Sequence, residues 1–383
     1  MTHNSRIKNV ALAYSKENAL NAICPYFTMF PLEYPTKALK KHCKEKPVVL
    51  DPFCGRGTTL FAARIFGLKS WGIDSSPVAV AIAKAKLARC DVEEPLRLAA
   101  KLISEVDPTE IPETPFFRVA YHRDTLRHIC ALREGLLSLG SETDASAILR
   151  AAALGCLHGP LPKHMENAGY FSNQMPRTYA SKPDYAVRFW KERKLKAPRI
   201  DVLRVLRRKI ERLVGLEQES PCSITHVLHG DAQSAGVFQS VNTAPSVVIT
   251  SPPYYGMRTY VQDQWLRNWF LGGPESIDYS AGPQLDHSRQ DAFAISLGKV
   301  WRNIAASAAD SETLHMYVRF GIIPSASVDA KRIFRNSLDE SGIAWRLVST
   351  RTAKSADAGK RQAEQMKAES AAAIEFDFHI ERG

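Results

Sequence analysis

The stretch Val48-Val49-Leu50-Asp51-Pro52-Phe53-Cys54-Gly55-Arg56-Gly57-Thr58-Thr59 decides the fold. Lys46-Pro47 breaks a preceding helix, and the apolar residues after it read as a short buried strand. Leu60-Phe61-Ala62-Ala63-Arg64 carries helix formers onward from Thr58 or Thr59. Between strand and helix, Gly55 and Gly57 permit a left-handed backbone and let a ligand approach the main chain closely. Strand, Gly-x-Gly turn and helix together form half of a nucleotide-cofactor site in an open α/β sheet. A Gly-x-Gly pair alone is a weak signal, so its surroundings carry the weight.

Downstream, Lys69-Ser70-Trp71-Gly72-Ile73-Asp74 reads as a second strand ending in a carboxylate. Asp74 lies 17 positions beyond Gly57, close to the offset of about 20 at which an acidic residue receives ribose hydroxyls. The alternative for Asp74 is a helix N-cap or a surface carboxylate, since Ser75-Ser76-Pro77 and an Ala/Lys-rich helix, Val78 to Ala88, follow it. Upstream, Cys24 to Leu32 forms an aromatic, proline-rich loop containing Tyr26 and Thr28, and a basic helix runs from Pro35 to Lys46.

A second motif lies two hundred residues on. Ser246-Val247-Val248-Ile249 suits a central parallel strand, buried on both faces. Thr250-Ser251-Pro252-Pro253-Tyr254-Tyr255 follows, and its two prolines end the ladder in a short extended turn. Such a turn, at the carboxyl edge of a sheet, offers a hydroxyl, rigid carbonyls and an aromatic ring to a ligand.

The remaining α/β pattern comprises His226 to Ala232, with Asp231 and Ala232 at its turn, an aromatic helix Asp263–Leu271 and a helix Phe293–Ala308. Strands follow at Leu314–Phe320 and Ala344–Thr350, and the alternation of Ile374 to Ile380 suits an antiparallel edge strand. Residues 351–370 read as a helix or a mobile loop.

From about residue 91 to 222 the pattern is different. Helices at Asp124–Ser138, Asp144–His158 and Asp201–Leu213 flank a long irregular segment in which Asn, Gln and aromatics interleave with basic residues. Residues 160–212 hold fourteen Lys/Arg against five Asp/Glu, and so most of the net charge of +11. Asn173, Arg177, Arg188 and Lys191 are the candidates there for base-edge and phosphate contact, with a solvated helix face as the bland alternative for the helix from Asp201.

A content of 45% hydrophobic and 24% charged residues is ordinary for a globular protein. No apolar run reaches the roughly 18–20 residues of a membrane span, and Met1 to Arg6 lacks a signal-peptide core. The seven cysteines show no Cys-x-x-Cys or Cys/His spacing, which predicts reduced thiols in a cytoplasmic protein and no metal.

With both motifs in hand, the chain resembles the S-adenosylmethionine-dependent DNA methyltransferases of exocyclic amino groups. Their cofactor motif DPFxGxGTT is met by Asp51 to Thr59, and their catalytic motif (S/D/N)PP(Y/F/W) by Ser251 to Tyr254. The resemblance covers about 20–90 and 225–350. It implies a class I methyltransferase (Rossmann-like) α/β fold, with a mostly parallel seven-stranded sheet and an inserted, largely helical target-recognition region. The catalytic domain would comprise 1–90 and 223–383, and the insertion 91–222. Cofactor contacts would fall to Tyr26, Thr28, Asp51, Phe53, Cys54, Gly55, Gly57, Thr58, Asp74, Ser75, Asp231 and Ala232. Catalysis would fall to Ser251, Pro252, Pro253 and Tyr254, with Tyr254 stacking on a base flipped out of double-stranded DNA.

No covalent intermediate and no metal is needed. Ser at position 251 resembles the cytosine-N4 branch more than adenine-N6, and a cognate restriction endonuclease is an expected companion in a bacterial or archaeal cytoplasm. Two other readings stay open, a tRNA guanine-N2 methyltransferase and a DNA regulator that binds the cofactor without catalysis.

If the basic segment meets phosphates, Arg188→Ala or Lys191→Ala weakens DNA binding and lowers the slope of log K against log salt by about 1. Fluorescence titrations across a salt series measure this, and slopes equal to the parent's would place both charges outside the interface.

Overall fold

The computed structural model describes residues 23–24, 31–175, 182–214, 225–256, 264–277, 285–322, 328–353 and 374–383. They divide into two compact units. One comprises Thr28–Ala83, Ser220–Thr259 and Ala281–Gly383 and holds a seven-stranded sheet. Its strands are β1 (Val49–Asp51), β2 (Ser70–Asp74), β3 (Thr225–His229), β4 (Val247–Thr250), β5 (Leu314–Ile322), β6 (Arg346–Thr352) and β7 (Ile374–Arg382). Their spatial order is β3-β2-β1-β4-β5-β7-β6. β1 to β5 pair in parallel, and β7 runs antiparallel between β5 and β6.

β4 is buried at every position and has a parallel partner on each side, the environment that an uninterrupted Val-Val-Ile run requires. The helices of this unit are α1 (Glu33–His42), α2 (Thr58–Ile65), α3 (Pro77–Leu87), α4 (Ala235–Phe238), α5 (Gln290–Ser307) and α6 (Ala330–Glu340); the boundary between the units falls within α3. Leu50, Val248, Met316, Val318 and Phe320 share one buried cluster with Leu297 and Trp301 of α5 and Phe334 of α6. Val49, Val247 and Ile249 are equally buried, and strand alternation turns them to the opposite face, where α1 packs on β4 and α2 on β1 and β2. α5 and α6 approach closely because Gly298 has no side chain: a Cβ there would lie 2.9 Å from that of Glu340.

Two findings depart from the sequence expectation. The strand at Ile374 is interior, and the exposed β6 forms the edge. The alternation of β7 records different coverings of its two faces, with Phe378 and Ile380 in the core and Asp377, His379 and Glu381 on the other side. It says nothing of lateral neighbours. Between β5 and β6 stands α6, an unforeseen helix opened by the Asp329 side chain and buried at Ala330, Ile333, Phe334, Ser337 and Leu338, the spacing of one helical face. Residues 354–373, which take in most of the 351–370 segment, lie outside the described residues.

The other unit draws on the described residues of Met1–Phe27, Lys84–Glu219 and Tyr260–Ser280. Its helices are Glu93–Glu105, Pro115–Ala120, Arg123–Leu137, Asp144–Cys156, Pro183–Glu192, Val202–Val214 and Trp265–Phe270. The first, second and fifth of these are absent from the sequence expectation. The sequence pattern groups the stretches before 28 and around 265 with the sheet, whereas packing puts them here. Trp265 and Trp269 meet Phe117 at ring separations of 6.0 and 4.6 Å, and a Cβ on Gly155 would lie 2.7 Å from the Ile23 carbonyl.

The turn after β1 depends on Gly57, which has φ +75° and would place a Cβ 2.9 Å from that of Ala83. Gly57→Ala is expected to cost about 1–3 kcal/mol, read as a lower urea midpoint with an unchanged m-value.

Candidate active site

Strand order reverses between β1 and β4, so the crevice of the sheet opens at their carboxyl ends. Asp51 ends β1 and Thr250 ends β4. The Thr250 hydroxyl donates to Asp51 Oδ1 at 2.7 Å, and the Phe53 N–H donates to the same oxygen at 3.1 Å. From the first turn of α2, the Thr59 hydroxyl donates to the Ile249 carbonyl at 3.1 Å. The glycine turn is thus bonded twice to the strand that feeds Ser-Pro-Pro-Tyr. The structure brings the two motifs together.

Asp51 is fully buried, and its Oδ2 has no hydrogen-bond partner among the described residues. Burial pushes its carboxyl up to about 6, with Asp74 adding to the rise, against the pull of the Thr250 and Thr59 hydroxyls and the Phe53 amide. Next to it Gly55, at φ +51°, would direct a Cβ into open space, whereas the Cβ position of Gly57 is blocked by Ala83. The two glycines therefore serve different ends. Gly57 lets the helices pack, and Gly55 leaves room beside the turn.

Asp74 folds back over this turn. Its Oδ2 accepts from the Gly55 N–H and its Oδ1 from the Ser76 N–H, both at 2.8 Å. Burial raises its pKa, opposed by the amides of Ser76 and Gly55 and by His229. The Gly230 N–H donates to the Asp74 carbonyl at 3.0 Å, tying the turn with Asp231 and Ala232 to the end of β2. Asp231 accepts from the Gln233 N–H at 2.9 Å, and the buried Ala232 accepts from Asn303 Nδ2 at 3.0 Å. Ser75 lends its carbonyl to His229 Nε2 at 3.1 Å. Phe53 is half-buried against the core, Thr58 is buried, and the buried Cys54 donates its N–H to Ile73 at 3.0 Å.

These features fit a cationic nucleoside such as S-adenosylmethionine. A buried carboxylate oxygen lacks a donor, a second carboxylate stands one strand away, and the first glycine faces free space. Tyr26 and Thr28 lie outside the described residues.

In the Ser-Pro-Pro-Tyr turn, Ser251 is half-buried, Pro252 buried and Pro253 exposed. Tyr254, expected to present a stacking face, is only 9% exposed and stands edge-on to Phe320 at 6.3 Å. Its hydroxyl is hydrogen-bonded to the Glu375 carboxylate and to the Ser251 hydroxyl, and burial raises its pKa well above the usual phenol range, with Glu375 adding to the rise. The more open ring on the turn is Tyr255, stacked at 6.4 Å on His287.

Glu375 carries no signal in the sequence. It sits in β7 opposite Gly321 of β5, and no spacing along the chain announces that pairing. Beside it, Arg319 and Asp377 form a bidentate pair at 2.7 and 2.9 Å, with the guanidinium 4.4 Å from the centre of the Tyr34 ring.

The nucleic-acid candidates lie in the helical unit. Asn173 must be withdrawn from that set. It is 1% exposed, and its amide donates to the carbonyls of Val119 and Leu195 at 3.2 and 3.3 Å while its oxygen accepts from the Gln174 N–H at 2.8 Å. An internal amide so committed has nothing left for a base edge. Arg188 and Lys191 do project into solvent, from the helix Pro183–Glu192, beside the exposed Tyr185. Arg177 lies outside the described residues.

The raised pKa of Asp51 predicts a pH dependence. Between about pH 4 and 6 the unfolded carboxyl loses its proton while the folded one keeps it, so stability falls as pH rises through this window. The loss is on the order of 3 kcal/mol by the linkage constant, and Asp74 adds to it in the same direction. Asp51→Asn should flatten this part of the profile in urea titrations at successive pH values; an unchanged profile would show that Asp51 titrates normally.

Residues 4–85 match the N6/N4 family model described as DNA methylase. The type II methyltransferase M.MjaII of Methanocaldococcus jannaschii is 31% identical over 86 residues, which make up 22% of this chain and 16% of that relative. The chain therefore spans only a small part of the relative's length. Two structures of the rRNA methyltransferase aviRa from Streptomyces viridochromogenes superpose on 95% and 94% of this chain, covering 91% and 87% of their own, at TM-scores of 0.34 and 0.31 and identities of 13% and 12%. No helix among the described residues is long and apolar enough to cross a membrane. Over residues 4–85, the segment that carries the glycine turn, the chain is similar to the N6/N4 DNA methylases, and over 86 residues it is similar to a type II DNA methyltransferase.

Proposed function

We propose that the protein transfers a methyl group from S-adenosylmethionine to the exocyclic amino group of a base in double-stranded DNA, with cytosine N4 as the favoured acceptor. The observation that supports this most directly is the juxtaposition, across the Thr250–Asp51 hydrogen bond, of a glycine turn with an unpartnered buried carboxylate oxygen and a Ser-Pro-Pro-Tyr turn. The family of the matched segment and the type II methyltransferase among its relatives support DNA as the substrate. They also support a setting with a cognate restriction endonuclease in a bacterial or archaeal cytoplasm.

When bound, S-adenosylmethionine supplies an electrophilic methyl group on a sulfonium. Asp51, Phe53, Cys54, Gly55, Gly57, Thr58, Asp74, Ser75, Asp231 and Ala232, with Tyr26 and Thr28, would hold it. The free Asp51 oxygen suits its ammonium group, and Asp74 suits ribose hydroxyls. An amine conjugated with an aromatic ring is a poor nucleophile. Ser251 Oγ and the Pro252 carbonyl, as acceptors for its two protons, would draw the nitrogen towards sp³ geometry and aim it.

Tyr254 serves this from behind. Its hydroxyl donates to Glu375 and receives the Ser251 proton, which leaves the Ser251 lone pairs for the amine. Buried as it is, the ring fits an anchor for Ser251 better than a platform for a flipped base. No metal enters the chemistry. Ser rather than Asp or Asn at 251 favours cytosine N4 over adenine N6. The basic segment, through Arg188 and Lys191, would meet DNA phosphates.

Nucleoside mass spectrometry on unmethylated bacterial DNA incubated with protein and S-adenosylmethionine tests the proposal, and N4-methylcytosine is the expected product. N6-methyladenine would keep the amino chemistry and change the base, whereas methyl transfer to tRNA with none to DNA would overturn the assignment. Ser251→Ala should lower turnover about 10²-fold, and Tyr254→Ala should lower it by no more than that, with cofactor affinity nearly intact.

A further inference from the structure

We infer that His315, His379 and Glu381 form a binding site for one divalent transition-metal ion of the zinc type, remote from the methyl-transfer site and independent of it. The three side chains share one face of the β5–β7 ladder, in which His315 stands opposite Glu381 and Tyr317 opposite His379. One ligand atom from each lies within 4.8 Å of the other two. His315 Nδ1 is 3.0 Å from Glu381 Oε1, and His379 Nε2 is 3.3 Å from the same oxygen. Donors about 2.1 Å from a tetrahedral ion stand roughly 3.4 Å apart, so two of the three spacings already suit one. The third closes by side-chain rotation on a rigid ladder.

The second observation is the state of His379. Its Nε2 is buried and has no hydrogen-bond partner among the described residues, although Glu381 Oε1 lies 3.3 Å away. A buried imidazole nitrogen left open is uncommon and is what an ion would complete. The ring is held in place by stacking on Tyr317, with centroids 4.3 Å apart and planes at 7°. Tyr317 is fixed in turn by its hydroxyl, 2.9 Å from His42 Nε2. The Arg346 guanidinium takes Glu381 Oε2 and leaves Oε1 between the imidazoles, the outer-shell support that ligating carboxylates commonly have.

The surrounding charges act in both directions. Lys41, which lies over the Tyr317 ring at 5.2 Å, and Arg346 oppose a cation, and Glu381 supplies the compensating charge.

Two imidazoles and one carboxylate favour zinc or a neighbouring metal over magnesium or calcium. The cluster occupies the start of β5 and the end of β7, whereas Tyr255 meets the sheet at Ile322, the other end of β5, roughly 20 Å away at the rise of a strand. An ion there would clamp β5 to β7 without reaching the reacting atoms.

The test uses the full chain, stripped with a chelator and titrated with Zn²⁺ by calorimetry and with Co²⁺ by visible absorption. The expected result is one ion per chain, cobalt bands of a nitrogen and oxygen site without a thiolate charge-transfer band, and a higher melting temperature. His379→Ala and Glu381→Gln should each weaken uptake about tenfold or more while leaving cofactor binding unchanged. The parent's cobalt spectrum decides the matter should a variant fail to fold. Absence of uptake by the folded parent, a thiolate band, or equal affinity in parent and variants would overturn the site.

Discussion

The hydrogen bond from Thr250 to Asp51 joins the ends of the two central strands and sets the rest of the site in place. It commits one carboxylate oxygen of a buried acid and leaves the other open. A buried carboxylate with a free oxygen is costly, and this burial pushes its pKa up to about 6. The cost makes sense if a cation fills the place in function. The same bond fixes the glycine turn against the Ser-Pro-Pro-Tyr turn, so cofactor chemistry and acceptor chemistry share one edge of the sheet.

Around this point the fold uses an interior antiparallel strand to import acidic groups. β7 carries Glu375 to Tyr254 and Asp377 to Arg319, and its far end carries Glu381 to His315. The residues at alternate positions, Phe378 and Ile380, close the core. One strand thus serves the hydrophobic interior on one face and a row of polar partners on the other, because its side chains alternate. Arg319, almost buried, is balanced by the two Asp377 oxygens and by the face of Tyr34. Removing either charge would leave the other uncompensated in a poorly solvating place.

Much of the sheet is legible in the order of residues alone. The continuous apolar runs at Val48 and Ser246 identify the central parallel strands, since only strands covered on both faces can be apolar throughout. Proline and glycine mark where strands stop and the helix after Gly57 begins, because both act through the local backbone. Segments governed by packing are less legible. The helix Pro183–Glu192 lies in a stretch rich in polar and basic residues, where only Ala186 and Trp190 are buried and carry the helical period, and Pro115–Ala120 is too short for its apolar run to distinguish a helix from a strand. Asn173 has the side chain of a base reader, but side-chain type reveals neither burial nor hydrogen-bond commitments.

The sequence by itself determined the chemistry available: the glycine turn, Asp51, Asp74 and the Ser-Pro-Pro-Tyr turn are short-range patterns, and their meaning lies in neighbouring backbone. Only the tertiary structure decided which distant groups meet. It placed Thr250 on Asp51, Glu375 on Tyr254, and His315 beside His379 and Glu381, because lateral strand pairing joins residues that no local spacing relates.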